Sequence, residues 1–141
     1  MPGSKADVTG KRGRGMENRK DVSRRNVWKK GEDAACKLLT RWGWKVLAKN
    51  WHSIRGEIDI IAIDSSQDVV AVEVKARSSG TWDSDRAATL VSPWKIVKVC
   101  RCLADFLACH PGLLYHRQRV DAICLVNGAT YYFRGINDEW N

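Results

Sequence analysis

The sequence predicts a single mixed α/β domain, in which helices pack on a mixed sheet of about five strands. The chain has 141 residues, which suits one domain, and 44% of them are hydrophobic, which is typical of a globular core. Segments with helical periodicity alternate with segments of strand periodicity, in the order helix, three strands, helix, two strands. This alternation is typical of an α/β fold.

Residues 1–30 are predicted to form a flexible basic tail, ahead of a single domain over residues 31–141. The tail carries ten Lys and Arg against three acidic residues, so it holds +7 of the chain's net charge of +8. Its four glycines and few apolar residues predict flexibility until about Val27. A basic arm of this kind commonly contacts nucleic-acid phosphates. An anionic membrane surface and a solubilising role alone are the alternatives.

A first helix is predicted over residues 31–42, with Glu32 in its first turn, where the helix dipole favours a negative charge. A short strand is predicted over residues 44–50. Two stronger strands over residues 57–64 and 69–77 are joined by a polar turn. The apolar stripe of the first helix consists of Ala34, Ala35, Leu38, Leu39 and Trp42.

A second long helix is predicted over residues 92–109, because its Ser-Pro start supplies an N-cap and a first helical residue. Strands follow over residues 119–126 and 130–134, around an Asn-Gly pair that favours a type I′ turn. The polar segment 78–91 is long for a connection, which is typical of a binding loop beside a site. The predicted buried stripe of this helix consists of Trp94, Val97, Cys100, Leu103, Ala104 and Leu107.

Composition also excludes several classes of protein. The chain has no apolar run of membrane-spanning length and no apolar leader, which predicts a cytoplasmic protein without a membrane segment. Five cysteines occur without a Cys-x-x-Cys pair, and only three histidines accompany them. Structural zinc and a disulfide framework are therefore poor interpretations, and the cysteines are predicted to be reduced thiols.

Charged side chains are concentrated on the two stronger strands. Because strand side chains alternate between faces, Glu57 and Asp59 are expected on one face of their strand and Ile58 and Ile60 on the other. If the two strands pair as a hairpin with matched apolar faces, one side of the sheet presents Glu57, Asp59, Glu73 and Lys75.

Two interpretations of this charged face are open. The first is a half-exposed sheet whose charges face water, which is common in antiparallel hairpins. The second starts from the repulsion between neighbouring carboxylates on one sheet face, which a bound cation relieves. Carboxylate oxygens suit Mg²⁺ or Mn²⁺.

The order of these residues resembles a known family. Gly56-Glu57-Ile58-Asp59, then thirteen residues, then Glu73-Val74-Lys75 resembles the PD-(D/E)XK nuclease core, in which an Asp precedes a Glu-x-Lys strand. The wider series, over about residues 31–126, resembles the YraN-like family of uncharacterised bacterial proteins, which are similar to archaeal Holliday-junction resolvases and restriction endonucleases. A restriction-endonuclease-like core is therefore expected. Beyond the two strand motifs, the series consists of Gly31-Glu32, Asn50, Lys95 and Arg119-x-Asp121.

This resemblance implies roles for individual residues. Asp59 and Glu73 would be ligands of Mg²⁺ or Mn²⁺, with the main-chain carbonyl of Val74 completing the protein's share of the coordination shell. Lys75 would hold and polarise the attacking water, or neutralise charge on the scissile phosphate. Glu32 would be an additional acid of the metal shell. Metal-assisted hydrolysis of a phosphodiester needs this combination of a hydroxide source and a charge neutraliser.

Three further residues have open assignments. Lys95 opens the second long helix, where it would contact phosphate or only face solvent. Arg77 continues the polar face of its strand and would contact phosphate or pair with Glu73. Asp121 is predicted to make a structural ion pair rather than a metal site.

Three functions are compatible with these features. The first is a metal-dependent endonuclease that binds DNA, branched or flapped DNA included, and hydrolyses phosphodiester bonds. The second is a nucleic-acid-binding module that keeps the fold and has no turnover. The third is an adaptor whose basic tail docks an acidic or membrane partner. Paired cuts of the resolvase type would also require a homodimer.

Overall fold

The computed structural model describes residues 18–138, and the remainder of the predicted tail, residues 1–17, lies outside the described part. The two long helices and the five strands follow one another as the sequence predicts, whereas a short helix lies in segment 78–91, which was predicted as a loop. In chain order the elements are α1 (Arg19–Arg41), β1 (Lys45–Ser53), β2 (Gly56–Ile63), β3 (Val69–Arg77), α2 (Ser84–Ala88), α3 (Pro93–Cys109), a short 3-10 helix (Pro111–Leu113), β4 (Gln118–Val126) and β5 (Ala129–Phe133).

The five strands form one mixed sheet in the order β1-β2-β3-β4-β5. Strands β3 and β4 are parallel, with α3 in the connection between them, and the other neighbours are antiparallel. Helix α1 packs on β3 and β1, and α3 packs mainly on β2. The mixed α/β architecture is thus confirmed, and it is compatible with the expected restriction-endonuclease-like core.

Each long helix covers its own face of the sheet. Val70 and Val72 of β3 pack under α1 with Ala35 and Leu39, whereas Ala71 between them packs under α3. The alternation of strand side chains therefore supplies both layers of the core from one strand. A strand buried on both faces reads as a continuous apolar run, as the first half of β3 does.

Several local predictions are confirmed. Strand β3 has the predicted bounds, and α3 begins after the N-cap Ser92 and ends at Cys109. The hairpin turn has positive φ at both Asn127 and Gly128, as a type I′ turn requires. All five cysteines are free thiols.

The first helix begins twelve residues before its predicted start. Asn18 caps it, since the Asn18 side chain accepts a hydrogen bond from the backbone N–H of Asp21 at 2.9 Å. The glycines that indicated flexibility all precede residue 16, and the helix interior contains no glycine before Gly31. The expectation of a flexible segment until Val27 is therefore wrong for residues 19–27.

The buried stripe of α3 also differs from the prediction. Trp94 is 61% exposed and Ala104 is exposed. The stripe that packs on the sheet has the same periodicity in another phase, because β2 and β3 present Ile58, Ile61 and Ala71 to it. It consists of Ile96, Val99, Cys102, Leu103, Phe106 and Leu107.

A buried ion-pair network ties together the end of the sheet where β3 and β4 begin. Arg119 donates to Asp121 at 2.9 and 3.1 Å and lies 2.8 Å from both Asp64 and Asp68. Asp121 also accepts hydrogen bonds from the Tyr132 hydroxyl and the Gly135 N–H. The prediction of a structural ion pair for Asp121 is confirmed.

No helix within residues 18–138 combines the length and the apolar character that a membrane span requires.

Helix α1 packs tightly on β3 at Gly31. A Cβ atom at Gly31 would lie 2.8 Å from the Cβ of Ala76, a distance at which backbone has to move. We therefore expect Gly31→Ala to lower the free energy of unfolding by about 1–3 kcal/mol, as overpacking does. Chemical denaturation measures this difference.

Gly112→Ala is the matched control, because a Cβ there has no heavy atom within 4 Å. The double variant Gly31→Ala, Ala76→Gly should regain part of the loss, since it restores the space between helix and strand. Equal stability of the Gly31→Ala and Gly112→Ala proteins would contradict this account of the close approach.

Candidate active site

The site lies where strands β2 and β3 separate, a point that we call the fork. Their antiparallel ladder ends at the Ile60–Val72 pair. Beyond it, β2 pairs with β1 alone and β3 pairs with β4 alone. At the fork the Asp59 carboxylate accepts a hydrogen bond from the Val74 backbone N–H at 2.8 Å, so a side chain occupies the place of a strand partner.

The fork also changes which face the β2 side chains reach. Ile58 packs with the α3 cluster, whereas Ile60 packs with the α1 cluster. The prediction that these two isoleucines share a face is wrong, because regular alternation is interrupted at Asp59 between them. Asp59 is nevertheless brought to Glu73, by the separation of the strands rather than by simple alternation.

The four charged residues predicted to share a side line one cleft of about 520 Å³ at the fork. Asp59 and Glu73 lie at its bottom, 8% and 1% exposed. Val74, Arg77 and Lys95 line it as well. Of the predicted site residues, only Glu32 is absent from its lining. The grouped four are Glu57, Asp59, Glu73 and Lys75.

Glu73 is the most strongly perturbed acid of the cleft. Burial, reinforced by the negative charge of Asp59, raises the pKa of Glu73 to about 7. Lys95 partly offsets this effect, with its Nζ 3.8 Å from Glu73 Oε2. The other carboxylate oxygen, Oε1, is buried and has no hydrogen-bond partner.

Asp59 is also perturbed by burial, which raises its pKa. Its hydrogen bond from Val74 and the positive charges of Lys95 and Lys75 act in the opposite direction. Two buried acids with raised pKa values at the bottom of one cleft are typical of a functional site, because burying a carboxylate away from water costs free energy.

Glu32, on α1, lies near enough to Asp59 for their charges to interact but does not line the cleft. Asn50 donates to Glu32 Oε1 at 3.0 Å, while Oε2 is buried without a hydrogen-bond partner. Burial, and to a lesser extent the charge of Asp59, raises the pKa of Glu32. Because α1 begins at Arg19, Glu32 lies in mid-helix, so a favourable interaction with the helix dipole does not explain it.

Glu32 occupies a buried position in the helical pattern of α1. It belongs to the buried stripe of α1 together with Ala35, Cys36 and Leu39, at helical spacing. A carboxylate in such a stripe carries a desolvation cost, so the buried phase of the helix would have distinguished Glu32 from an exposed first-turn acid.

The structure adds a wall to the cleft that the sequence interpretation missed. Ser23, Arg24, Val27 and Trp28 line the cleft from the first half of α1. Their spacing of three and four residues places them on one helix face, and this spacing is visible in the sequence. The spacing was overlooked because this segment was assigned to the flexible tail.

The same helical segment carries much of the basic charge. Residues 18–30 contain six Lys and Arg and one acidic residue, a net charge of +5, whereas residues 1–17 carry +2. The positive charge assigned to a tail is therefore mostly on a helix that borders the acidic cleft.

Comparison with known proteins places the chain among bacterial relatives. It is 37% identical over 95 residues to a UPF0102 protein of Kineococcus radiotolerans, covering 67% of this chain and 75% of the relative. It is 30% identical over 131 residues to one of Synechococcus sp. (strain JA-3-3Ab), covering 86% and 98%. A relative from Acinetobacter baylyi is 31% identical over 109 residues, covering 77% and 76%.

The family match covers about two thirds of the chain. The model of Uncharacterised protein family UPF0102 matches residues 31–125, which include Glu32, Asp59, Glu73, Lys75 and Lys95. The cleft wall formed by residues 23–28 precedes the matched region. The chain belongs to Uncharacterised protein family UPF0102, the YraN-like family.

Proposed function

We propose that the cleft at the fork hydrolyses phosphodiester bonds of DNA with the help of Mg²⁺ or Mn²⁺. The observation that carries this proposal is the pair of buried carboxylates, Asp59 and Glu73, with an unpartnered Glu73 oxygen and two lysines lining the same cleft. A buried carboxylate oxygen without a donor is costly, and a divalent cation removes that cost.

The residues present fit a hard divalent cation. Asp59 and Glu73 would hold it, with the main-chain carbonyl of Val74 as the third oxygen and Glu32 as an acid beside this group. The ion would act as a Lewis acid and as the source of hydroxide. All other contributions come from the side chains of the chain itself.

The basic residues of the cleft would divide two tasks. Lys75 would orient the attacking water or neutralise charge that develops on the phosphate. Lys95, held 3.8 Å from Glu73, would contact a neighbouring phosphate, as would Arg77 at the rim. Arg77 donates to the Ala76 carbonyl at 2.8 Å, which orients its guanidinium. Oriented cations of this kind stabilise the transition state of phosphoryl transfer.

A second function, a nucleic-acid-binding module without turnover, has an observation in its favour. Residues 18–138 contain no group of three His, Cys, Asp or Glu side chains placed to hold a metal ion. A cation at Asp59 and Glu73 would thus depend on main-chain and water oxygens, and Lys95 already balances part of the charge. Cleavage assays separate the two functions.

Paired cuts on branched DNA would require a homodimer, which native mass measurement tests.

We expect metal-dependent cleavage in a panel of linear, flapped and four-way DNA, with RNA as a further arm. Asp59→Asn, Glu73→Gln and Lys75→Ala should each reduce the rate about a hundredfold or more, because single transition-state contacts of this kind are worth a few kcal/mol. Gel assays with Mg²⁺, Mn²⁺ or chelator measure this effect.

Asp59→Asn is chosen because the Asn side-chain oxygen can still accept the Val74 N–H bond, so the fork should be preserved. Lys98→Ala is the matched control for Lys75→Ala, since Lys98 lies over the Trp94 ring at 5.9 Å. Cleavage that survives chelation, or full activity of Lys75→Ala, would contradict the proposal. Tight binding without any cleavage would favour the binding module.

We expect Glu73 to make stability depend on pH. Its pKa is about 7 in the folded chain against an ordinary value of 4.5, so the folded state binds more protons than the unfolded state between these values. The free energy of unfolding therefore falls as pH rises through this window. In chelator, Glu73→Gln should be more stable than the parent at pH ~8, and this advantage should shrink towards pH ~4.5.

Thermal melts of both proteins at several pH values measure this effect. Mg²⁺ at about 100 times its dissociation constant should stabilise the parent at pH ~8 by about 2.7 kcal/mol and Glu73→Gln far less. Equal stabilisation of the two proteins would remove Glu73 from the metal site.

We expect the salt dependence of DNA binding to depend more on the basic residues of α1 than on those of residues 1–17. Replacing Lys20, Arg24 and Lys29 by Gln should reduce the log–log salt slope by at least about one unit. The charge-matched triple Gln variant of Lys11, Arg12 and Arg14 should change it less. An equal or larger effect of the tail variant, measured by titration at several salt concentrations, would show that the tail supplies the phosphate contacts.

A further inference from the structure

One pair of residues in the cleft has no role in the hydrolysis described above. Arg24 and Trp28 line the cleft from α1, and Trp28 is 44% exposed. They are four residues apart, so their side chains lie on the same face of the helix. The part of the cleft lined by α1 therefore presents an aromatic ring and a guanidinium group on one helix face.

This combination has a specific binding chemistry. An exposed aromatic ring stacks on the face of any nucleobase, and a neighbouring cation contacts the phosphate, which is how proteins hold single-stranded nucleic acid. In a duplex, each base face is covered by the next base pair. A base can cover Trp28 only where the nucleotide is unpaired and turned out of the stack.

The depth of the site favours the same substrate. Asp59 and Glu73 lie at the bottom of the cleft, 8% and 1% exposed, so the scissile phosphate has to enter between α1 and Lys95. The cleft of about 520 Å³ is in the size range of sites that enclose one small ligand. A single strand can enter such a cleft, whereas a continuous duplex carries its phosphates on a broad convex surface.

We propose that Arg24 and Trp28 form a subsite for one unpaired nucleotide next to the scissile bond, so that the substrate class is DNA with a single-stranded segment at the point of cleavage. This inference rests on the proposed function and narrows it. Charge complementarity supports the assignment, since the pair lies within the helical segment of net charge +5.

The first experiment measures binding of the full chain in chelator, where no turnover occurs. Fluorescence anisotropy with a short labelled single strand and with the duplex of the same sequence gives both affinities. The parent should prefer the single strand. Trp28→Ala should weaken single-strand binding at least about fivefold, as loss of one stacking residue does, and leave duplex binding unchanged.

Three variants make this result specific. Trp28→Phe keeps a ring and should retain most of the affinity. Trp94→Ala removes a tryptophan that is 61% exposed but lies over Lys98, and should have no effect. Arg24→Gln should also weaken single-strand binding, and it tests the subsite independently if Trp28→Ala fails to fold in a thermal melt.

A parent that binds duplex as tightly as single strand would overturn the proposal, as would equal affinities of Trp28→Ala and the parent for the single strand. Cleavage assays with Mn²⁺ distinguish this failure from failure of the hydrolysis. Cleavage with unchanged substrate selectivity in Trp28→Ala refutes the subsite alone. Single-strand binding that depends on Trp28, without cleavage of any substrate, supports the subsite and refutes the hydrolysis.

Discussion

The site depends on one departure from sheet regularity, the hydrogen bond from the Val74 N–H to the Asp59 carboxylate. If the antiparallel ladder continued past Ile60, main-chain groups of β2 would fill the space that the cleft occupies. Because a side chain takes that place, the two strands separate and the acids of both face the gap. The interruption of strand alternation at Asp59 also places Ile58 and Ile60 in opposite layers of the core, so packing on both faces of the sheet stabilises the fork.

Because α1 lines this gap, the gap becomes a cleft with both acidic and basic side chains in its walls. Gly31 lets the helix approach Ala76 closely, which brings Glu32 near Asp59 and places the basic first half of the helix alongside the cleft. The two buried acids, Asp59 and Glu73, thereby share the cleft with the basic side chains Arg24, Lys75, Arg77 and Lys95. On the proposed function, the basic side chains would attract a polyanion, and its phosphates would approach the carboxylates only where a cation or proton has reduced their charge.

Much of the fold could be predicted because its signals are local. Strand β3, the Ser92 cap and the Asn127-Gly128 turn depend on periodicity and turn chemistry within a few residues. The phase of α3 could not be fixed this way, since the sheet beneath the helix decides which of its competing stripes is buried. The start of α1 was missed although the Asn18 cap and the helical spacing of residues 23–28 are local signals. The strand acids were identified from the concentration of charge on two neighbouring strands and from the family resemblance, whereas Trp28 was missed because its segment was assigned to a tail.

Buried carboxylates elsewhere in the sheet show how a structural carboxylate is hydrogen-bonded in this chain. At the opposite end of the sheet, Asp64 and Asp121 are as buried as the fork acids, yet each accepts hydrogen bonds from Arg119 and from main-chain N–H groups. That network holds the pKa of Asp64 below its ordinary value, because the charged form is satisfied. At the fork, burial raises the pKa of Glu73, and one of its oxygens has no donor. The buried carboxylates at one end of the sheet are fully hydrogen-bonded, whereas at the fork one oxygen of Glu73 is not. This contrast is the physical reason to propose a metal-dependent site rather than a charged structural face.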